Sequence, residues 1–211
     1  MPTITRLIQQ KKQKRVNVYL DGKFAFGVTL ESTLENHLKV GMELSTQKIE
    51  ELRGKDYTDK IYVRLLSFAS RRSHSKKEFE QWFRKKNVDP NIQDPLLARL
   101  SKVGLLNEEE FARWWVEQRV TFRSMPPKML KMELRSKGIK DEIIEQVLQE
   151  NEAPSEVELA RKVLKKRFGK IPQNIRDLKE KKRIYDFLLR RGFSYSVIKD
   201  VLAGDSLEEY N

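Results

Sequence analysis

The chain has 211 residues, with 43 Lys and Arg against 31 Asp and Glu, and a formal net charge of +12. It contains no cysteine, which excludes a disulfide framework and a thiolate metal site. No apolar run resembles a secretion signal or approaches the length of a membrane span. We therefore expect a cytoplasmic protein with no membrane partner.

The first 56 residues predict a β-hairpin unit. Strands are expected over residues 4–8, 16–20 and 24–28 because apolar residues alternate there. The last two strands flank Asp21 and Gly22, a dipeptide typical of a two-residue hairpin turn. Short helices are expected over 30–38 and 45–52. The residues predicted to face the core from the two strands are Val16, Val18 and Leu20, and Phe24, Phe26 and Val28.

A helix–turn–helix pattern then occurs three times, with its turn at Asn87, Gly138 and Gly192. These turns lie 51 and 54 residues apart. In each copy, apolar residues at helical spacing precede a cation, and the Gly or Asn after the cation suits a helix end. An upstream helix completes each unit, and these three helices are predicted over 60–72, 108–123 and 156–168. A period of this size indicates an array of similar units.

The starts of three helices are predicted from capping residues. Asn107 with Glu110, Ser155 with Glu158, and Ser75 with Glu78 all have the spacing of a capping box. The sequence therefore predicts a mainly α protein. A hairpin segment at 1–56 precedes tandem three-helix-bundle repeats at 57–107, 108–151 and 152–211, which form an elongated array. The third repeat carries a charged insertion at 169–182.

The positive charge is distributed unevenly. Residues 60–86 carry nine Lys and Arg against two acids, and residues 156–193 carry thirteen against five. The middle segment, 107–152, has eight bases and ten acids. A further basic run lies near the N-terminus and consists of Arg6, Lys11, Lys12, Lys14 and Arg15. Any single cation is explained by a solvated helix end, but the collective asymmetry favours a polyanionic partner.

The chain shows no pattern typical of an enzyme. His37 and His74 are the only histidines, and neither has metal-ligand spacing; His74 is interpreted as a polar residue of the loop before a helix. The acidic run Glu108–Glu110 suits the first turn of a helix. Because a phosphate-binding glycine loop is also missing, we predict no catalytic residues, no metal and no cofactor.

The tryptophans occur at helical spacing with phenylalanines. Trp82 and Trp115 are predicted to lie in the core. Trp114 is adjacent to Trp115, and two neighbouring residues of a helix do not both point inward. An exposed Trp114 would be the best candidate for stacking on a base or contacting a partner.

Three segments resemble the RecX family, the bacterial regulators of the recombinase RecA. They are Arg-Arg-Ser-His-Ser-Lys-Lys-Glu-Phe at 71–79, Gly-Leu-Leu-Asn-Glu-Glu-Glu-Phe-Ala at 104–112, and the segment 127–139 that begins Pro-Lys-Met-Leu. The resemblance covers residues 60–202, and the hairpin is similar to an N-terminal extension of some members. The chain departs from the family where Asn87 replaces a usual Gly and where Phe79 and Phe83 replace Leu.

The resemblance implies a curved array of three-helix repeats that lies in the groove of RecA–single-stranded-DNA filaments. Such a protein limits filament growth, and with it the ATPase, strand-exchange and co-protease activities of RecA, without catalysis of its own. It implies roles in DNA repair, recombination and the SOS response. The expected partners are the RecA filament and single-stranded DNA, with double-stranded DNA as an alternative, and we expect a monomer.

Two basic patches are the candidate binding sites. The first patch consists of Arg71, Arg72, Lys76, Lys77, Arg84, Lys85 and Lys86. The second patch consists of Arg161, Lys165, Lys166, Arg167, Arg190 and Arg191. Two other functions stay open on the residues alone: a general nucleic-acid-binding repeat protein, and a helical scaffold whose charge serves solubility.

Overall fold

A computed structural model describes residues 1–10, 14–151, 154–169 and 177–203. The strands are β1 (Ile4–Gln9), β2 (Arg15–Leu20) and β3 (Lys23–Thr29). The first helices are α1 (Leu30–Glu35), α2 (Thr46–Ala69), α3 (Lys76–Lys86) and α4 (Pro90–Lys102). The later helices are α5 (Glu108–Arg123), α6 (Pro127–Ser136), α7 (Asp141–Glu150), α8 (Glu156–Phe168), α9 (Leu178–Arg190) and α10 (Tyr195–Ala203). The predicted mainly α fold with a small N-terminal sheet is confirmed.

The chain divides into two compact units. The first comprises Met1–Arg71 and Val88–Leu96, and the second comprises Arg72–Asn87 and the chain from Leu97 onward. Helix α2 runs without a break through position 56, where the sequence analysis placed a boundary. None of the described helices is long and apolar enough to cross a membrane.

The sheet of the first unit has β2 at its centre, paired antiparallel with β1 and β3. The predicted hairpin turn is confirmed, since Asp21 and Gly22 both have positive φ. Val16, Val18 and Leu20 are buried, as expected. The buried residues that complete this core are Ile4, Phe26, Val28, Leu38, Leu44, Ile49 and Leu52.

The prediction that Phe24 faces the core is wrong, because this side chain is 59% exposed. The register of the β2–β3 pair shifts here: Tyr19 opposes Phe24, whereas the preceding Val18 opposes Phe26. This irregularity adds one residue to β3, as in a β-bulge, and turns Phe24 away from the core. Phe24 packs instead edge-on against Tyr19, with ring centroids 5.8 Å apart.

The helices predicted over 45–52 and 60–72 are one continuous helix, α2, which ends at Ala69. The interior Gly54 does not interrupt it, since a helical glycine costs only about 1 kcal/mol relative to alanine. Asp56 is buried within α2 and forms ion pairs with Arg15 and, at 2.7 Å, with Lys60. Arg15 of the predicted N-terminal basic run is therefore paired internally.

Two other members of that run are described by the structure. The Arg6 guanidinium lies over the Tyr19 ring, 4.4 Å from its centroid, and Lys14 is exposed. Lys11 and Lys12 lie outside the described residues. The same holds for residues 170–176 of the predicted insertion, whose last residues, from Leu178 on, belong to α9.

The second unit contains two successive three-helix groups, each with a buried apolar core. The first group is α5, α6 and α7, and the second is α8, α9 and α10. The core of the first consists of Phe111, Ala112, Trp115, Val116, Leu130, Leu134, Ile139, Ile144 and Val147. The core of the second consists of Leu159, Ala160, Val163, Leu164, Ile184, Leu188, Phe193, Val197, Ile198 and Val201. The bounds predicted for α5 and α8 from helical spacing match those observed.

The three predicted capping boxes differ in outcome. Ser155 and Glu158 form the complete reciprocal box at the start of α8. Asn107 accepts hydrogen bonds from two backbone N–H groups of α5, and no return bond from Glu110 is among those described. Ser75 accepts from the Glu78 N–H at 3.3 Å, but the Glu78 carboxylate makes other contacts, so the box predicted there is wrong.

The turns at Gly138 and Gly192 have left-handed backbone conformations, with φ of 83° and 87°. They differ in what a Cβ atom would meet. At Gly138 it would lie in ordinary contact with Lys77, 3.6 Å from its Cβ, whereas at Gly192 it would come within 2.3 Å of Met129 Cγ. The start of α6 therefore packs directly on the turn that follows α9.

These turns give a matched pair of substitutions. Gly138→Ala and Gly192→Ala both force a residue with a side chain into positive φ, which costs about 1–2 kcal/mol. Gly192→Ala should cost about 1 kcal/mol more, because Met129 has to move. Urea unfolding of the two variants measures the difference, and equal destabilisation would show that the packing of Met129 on the turn contributes nothing.

Candidate nucleic-acid interface

The cations of the first predicted basic patch differ in whether they have partners within the fold. Lys76, Arg84, Lys85 and Lys86 are exposed and form no ion pair within the described part of the chain. The last three occupy the final turn of α3, where the helix dipole favours cations. Arg71 is also exposed, at the end of the first unit.

The other two cations of this patch have internal partners. Lys77 Nζ donates to the Ser136 carbonyl at 2.8 Å, at the end of α6. Arg72 donates to the Glu78 carboxylate at 2.8 Å, and its guanidinium lies over the Trp114 ring, 5.3 Å from the centroid. Both side chains therefore have partners within the fold, and their role in binding a ligand stays a prediction.

Glu78 is the centre of a buried polar network that joins α3 to the end of α6. One carboxylate oxygen accepts from Lys137 Nζ at 2.7 Å. The other is shared by Arg72 at 2.8 Å and by His74 Nδ1 at 3.1 Å. His74 lies in the loop before α3, as predicted, and it is a buried member of the network, with 3% of its surface exposed.

The contacts of Glu78 determine its protonation. Burial alone would raise the pKa of the Glu78 carboxyl, but hydrogen bonds from His74, Arg72 and Lys137 outweigh that effect. They hold the pKa of Glu78 well below its usual range. Glu78 therefore stays negatively charged at every pH at which an ordinary glutamate is charged, and at lower pH as well.

Trp115 extends this network. It is buried, as predicted, and its indole N–H donates to Glu133 Oε2 at 2.8 Å. Lys137 Nζ lies 4.6 Å from the centroid of the same ring, and the Arg119 guanidinium lies 3.9 Å from it. The Trp115 ring thus lies beside the Glu78–Lys137 pair and makes cation–π contacts with Lys137 and Arg119.

The other tryptophans are half-buried, so Trp82 is less buried than predicted. Trp114 is not an open ring, because Arg72 lies over it and Phe111 and Trp115 lie beside it. Phe122 at the end of α5 is the more open ring, with 67% of its surface exposed. Phe122 was not among the residues singled out from the sequence. It lies outside the helical spacing of the buried apolar residues of α5, and this position indicates an exposed ring.

The second predicted patch lies on α8 and at the end of α9. Lys165, Lys166 and Arg167 occupy the last turn of α8 and are exposed. Arg190 and Arg191 end α9, and the Arg191 guanidinium lies over Phe187 at 5.2 Å from its centroid. Arg161 lies further back on α8, is half-buried, and lowers the pKa of Glu158, which is set mainly by hydrogen bonds from Ser155.

Part of the second patch surrounds an open cleft of about 580 Å³. Its lining combines apolar and basic side chains with Ser124. The apolar lining consists of Phe122, Met125, Pro126, Met129 and Val163. The basic lining consists of Arg123, Lys166, Arg167 and Arg191. Among the described residues that line it there is no carboxylate, so the cleft is suited to an anion with an apolar part. We call it the α6–α9 cleft.

Other kinds of site are less well supported by the described residues. No group of three or more His, Asp or Glu among them is arranged to hold a metal ion.

Comparisons with known proteins agree with this architecture. Residues 2–45 match the Regulatory protein RecX N-terminal domain. Residues 107–148 match the second three-helix domain of RecX, and residues 155–202 match the third. Regulatory protein RecX of Bacillus subtilis is 34% identical over 216 residues, which covers 100% of this chain and 79% of the relative.

The chain belongs to the RecX family. Regulatory protein RecX of Bacillus licheniformis is 33% identical, covering 96% of this chain and 77% of that protein. A crystal structure of regulatory protein RecX superposes with a TM-score of 0.74 at 26% identity, over 95% of this chain and 100% of that one. The RecX structure from Lactobacillus salivarius, at 24% identity and a TM-score of 0.55, shows the fold alone.

The RecX family matches place the site within named domains. The second three-helix domain comprises α5, α6 and α7, and the third comprises α8, α9 and α10. The α6–α9 cleft is lined by residues of both. The Glu78 network likewise joins the second domain to α3, which precedes it.

Proposed function

We propose that the chain is a regulator, mainly negative, of the recombinase RecA. It binds in the helical groove of RecA–single-stranded-DNA filaments and limits filament growth, and thereby ATP hydrolysis, strand exchange and co-protease activity. Membership of a family whose relatives are named regulatory proteins supports regulation. The protein acts without catalysis, as a cytoplasmic monomer, with the three repeats at 57–107, 108–151 and 152–211 as its binding units.

The observation that carries this proposal is the pair of exposed basic helix ends. Arg84, Lys85 and Lys86 end α3, and Lys165, Lys166 and Arg167 end α8. Cations without internal partners retain their full attraction for phosphates, because no carboxylate in the described chain competes for them. Two such sites on one chain bind a periodic polyanion more tightly than either alone through effective concentration.

The paired cations contribute less to this function. Arg72 and Lys77 are held by Glu78 and by the Ser136 carbonyl, so a ligand would have to displace those contacts. We therefore narrow the first patch to Arg71, Lys76, Arg84, Lys85 and Lys86. The second patch keeps all of its predicted members.

The test is ATP hydrolysis by preformed RecA filaments on single-stranded DNA, with this protein titrated in at substoichiometric amounts. We expect activity to fall progressively well before the protein could cover the DNA, because a bound regulator stops growth of a whole filament end. Loss only near full coverage would instead indicate a general nucleic-acid-binding protein that competes for naked DNA. No loss at any concentration would leave the helical scaffold, and would overturn the proposal.

A further inference from the structure

The internal repeats allow one junction of the molecule to be compared with another. The turns at Gly138 and Gly192 are equivalent, so Lys137 corresponds to Arg191. The helices before these turns receive equivalent contacts from α3 and α6, whose third residues are Glu78 and Met129. Met129 therefore takes at the second junction the position that Glu78 takes at the first.

At the first junction the cations are neutralised from within the chain. Glu78 accepts hydrogen bonds from Lys137 at 2.7 Å and from Arg72 at 2.8 Å. The ring of Trp115 then lies 4.6 Å from Lys137 Nζ. The Glu78 carboxylate therefore lies between the two cations, and an aromatic ring lies beside Lys137.

At the second junction the carboxylate is missing, and the ring beside the turn cation is that of Phe187, whose centroid lies 5.2 Å from the Arg191 guanidinium. Arg123 is the equivalent of Arg72, each seven residues before the first buried apolar residue of the next helix, Leu130 or Phe79. Met129 replaces the carboxylate, and Val163, eight residues after its helix cap, replaces Trp115. Arg123 and Arg191 remain, and with Lys166 and Arg167 they surround the α6–α9 cleft.

The cleft therefore lacks the carboxylate of the filled junction, and a nucleotide supplies an anion there as its phosphate. Phe122, which lines the cleft, offers an exposed ring for the base, and no other ring stacks on it within the described residues. Exposed aromatic rings bordered by cations are the usual elements of single-strand binding surfaces.

We propose that the α6–α9 cleft binds a nucleotide of single-stranded DNA. A backbone phosphate lies between Arg123 and Arg191, the cations that correspond to Arg72 and Lys137, and the base packs on Phe122 and Met129. The volume of about 580 Å³ is in the range of ligand pockets. The proposal deepens the proposed function and rests on it, since it names the part of the filament that this face contacts.

The decisive variant gives the second junction its own carboxylate. Met129→Glu should pair with Arg123 and Arg191 and lower the affinity for a short labelled oligothymidylate by about tenfold. The slope of log affinity against log salt should fall by about 0.7, which corresponds to one fewer phosphate neutralised on a single strand. Fluorescence anisotropy over a salt series measures both quantities.

Two control variants distinguish a specific effect on the cleft from the effects of an added charge and of altered packing. Met132→Glu makes the same charge change on the same helix, at a residue that is 54% exposed and does not line the cleft. Met129→Gln has nearly the shape of the glutamate without its charge and tests the packing on Gly192. Both should bind the oligonucleotide within about twofold of the unmodified protein, and equal losses of affinity in Met129→Glu and Met132→Glu would overturn the proposal.

The ring contact has its own test. Phe122→Ala should weaken oligothymidylate binding by about fivefold, Phe122→Tyr should restore it, and the equally exposed Phe24→Ala should leave it unchanged. Polyglutamate serves as an acidic polypeptide for comparison. If polyglutamate binds as tightly and loses as much affinity in Met129→Glu, the cleft is an acidic-peptide site and the nucleotide assignment is wrong.

These measurements use DNA without RecA, so a negative result for the cleft can be distinguished from a negative result for the proposed function. If the unmodified protein inhibits RecA while Met129→Glu and Met132→Glu bind DNA equally, the cleft proposal fails alone. If it does not inhibit RecA but Met129→Glu selectively loses DNA affinity, the cleft proposal stands and the regulatory one fails.

Discussion

Replacing Lys165, Lys166 and Arg167 together by glutamine is expected to weaken binding to single-stranded DNA and to RecA filaments by between about tenfold and a hundredfold at moderate salt. All three are exposed at the end of α8 and form no ion pair within the described residues, so each is free to neutralise a phosphate. The salt dependence should also flatten by about 2 units of log slope, because each neutralised phosphate of a single strand accounts for about 0.7. Glutamine is preferred to glutamate because a negative charge at a helix C-terminus would itself destabilise α8.

A matched triple substitution on α9 tests whether location matters beyond net charge. Lys179, Lys181 and Lys182 are also exposed, and their replacement by glutamine removes the same three charges. They lie in the first turns of α9, away from the helix end that borders the α6–α9 cleft. We expect this replacement to weaken binding less than threefold. Equal weakening by the two triples would show that binding follows net charge, and would contradict the assignment of the second patch.

The substitution Glu78→Gln is expected to lower the free energy of unfolding by about 2–3 kcal/mol at neutral pH. Removing one member of a buried ion pair costs about 3–5 kcal/mol when its partners stay buried. Here the Lys137 and Arg72 side chains are partly exposed, at 28% and 36%, so water compensates part of the cost. Urea unfolding at neutral pH measures the change. Glu80→Gln, two residues away on the same helix, makes the same charge change and should cost less than about 0.5 kcal/mol, the usual size of a surface substitution.

The pH dependence of stability gives this prediction a second test. The folded pKa of Glu78 lies below its unfolded value, so the stabilisation is complete above the ordinary glutamate pKa of about 4.3. As pH falls below that value, the unfolded state takes up the proton first and the stabilisation is progressively removed. The gap between the unmodified protein and Glu78→Gln should therefore narrow steadily between about pH 5 and pH 3. A constant gap over this interval would mean that the carboxylate charge is not what stabilises the network.

Much of the second unit was predictable because its signals are local. The helical spacing of apolar residues gave α5 and α8 their bounds, and Ser155 with Glu158 marked a true capping box. Asn87, Gly138 and Gly192 have the left-handed conformation that a helix end requires, which depends on the residue and its neighbours alone. The family resemblance rested on the same local segments.

The candidate site was less predictable because it depends on pairing across the fold. Arg72 and Lys76 are alike in the sequence, yet one binds Glu78 and the other is exposed. Glu78 fits a capping box by spacing, but two cations from elsewhere in the fold compete for its carboxylate. Local patterns contain no information on such distant partners, so the free and the paired cations of a basic patch look the same.

The helical class, the repeat period, the N-terminal sheet and the excess of positive charge on the outer segments can all be read from the residues. These follow from residue spacing, turn chemistry and composition, which act over a few positions of the chain. Three further features depend on the folded neighbours: which cations are neutralised, that Phe122 and not Trp114 is the open ring, and that one junction is filled where its equivalent is a cleft. Those outcomes depend on the neighbours that folding supplies: a carboxylate and an indole at the first junction, and Met129 and Val163 at the second.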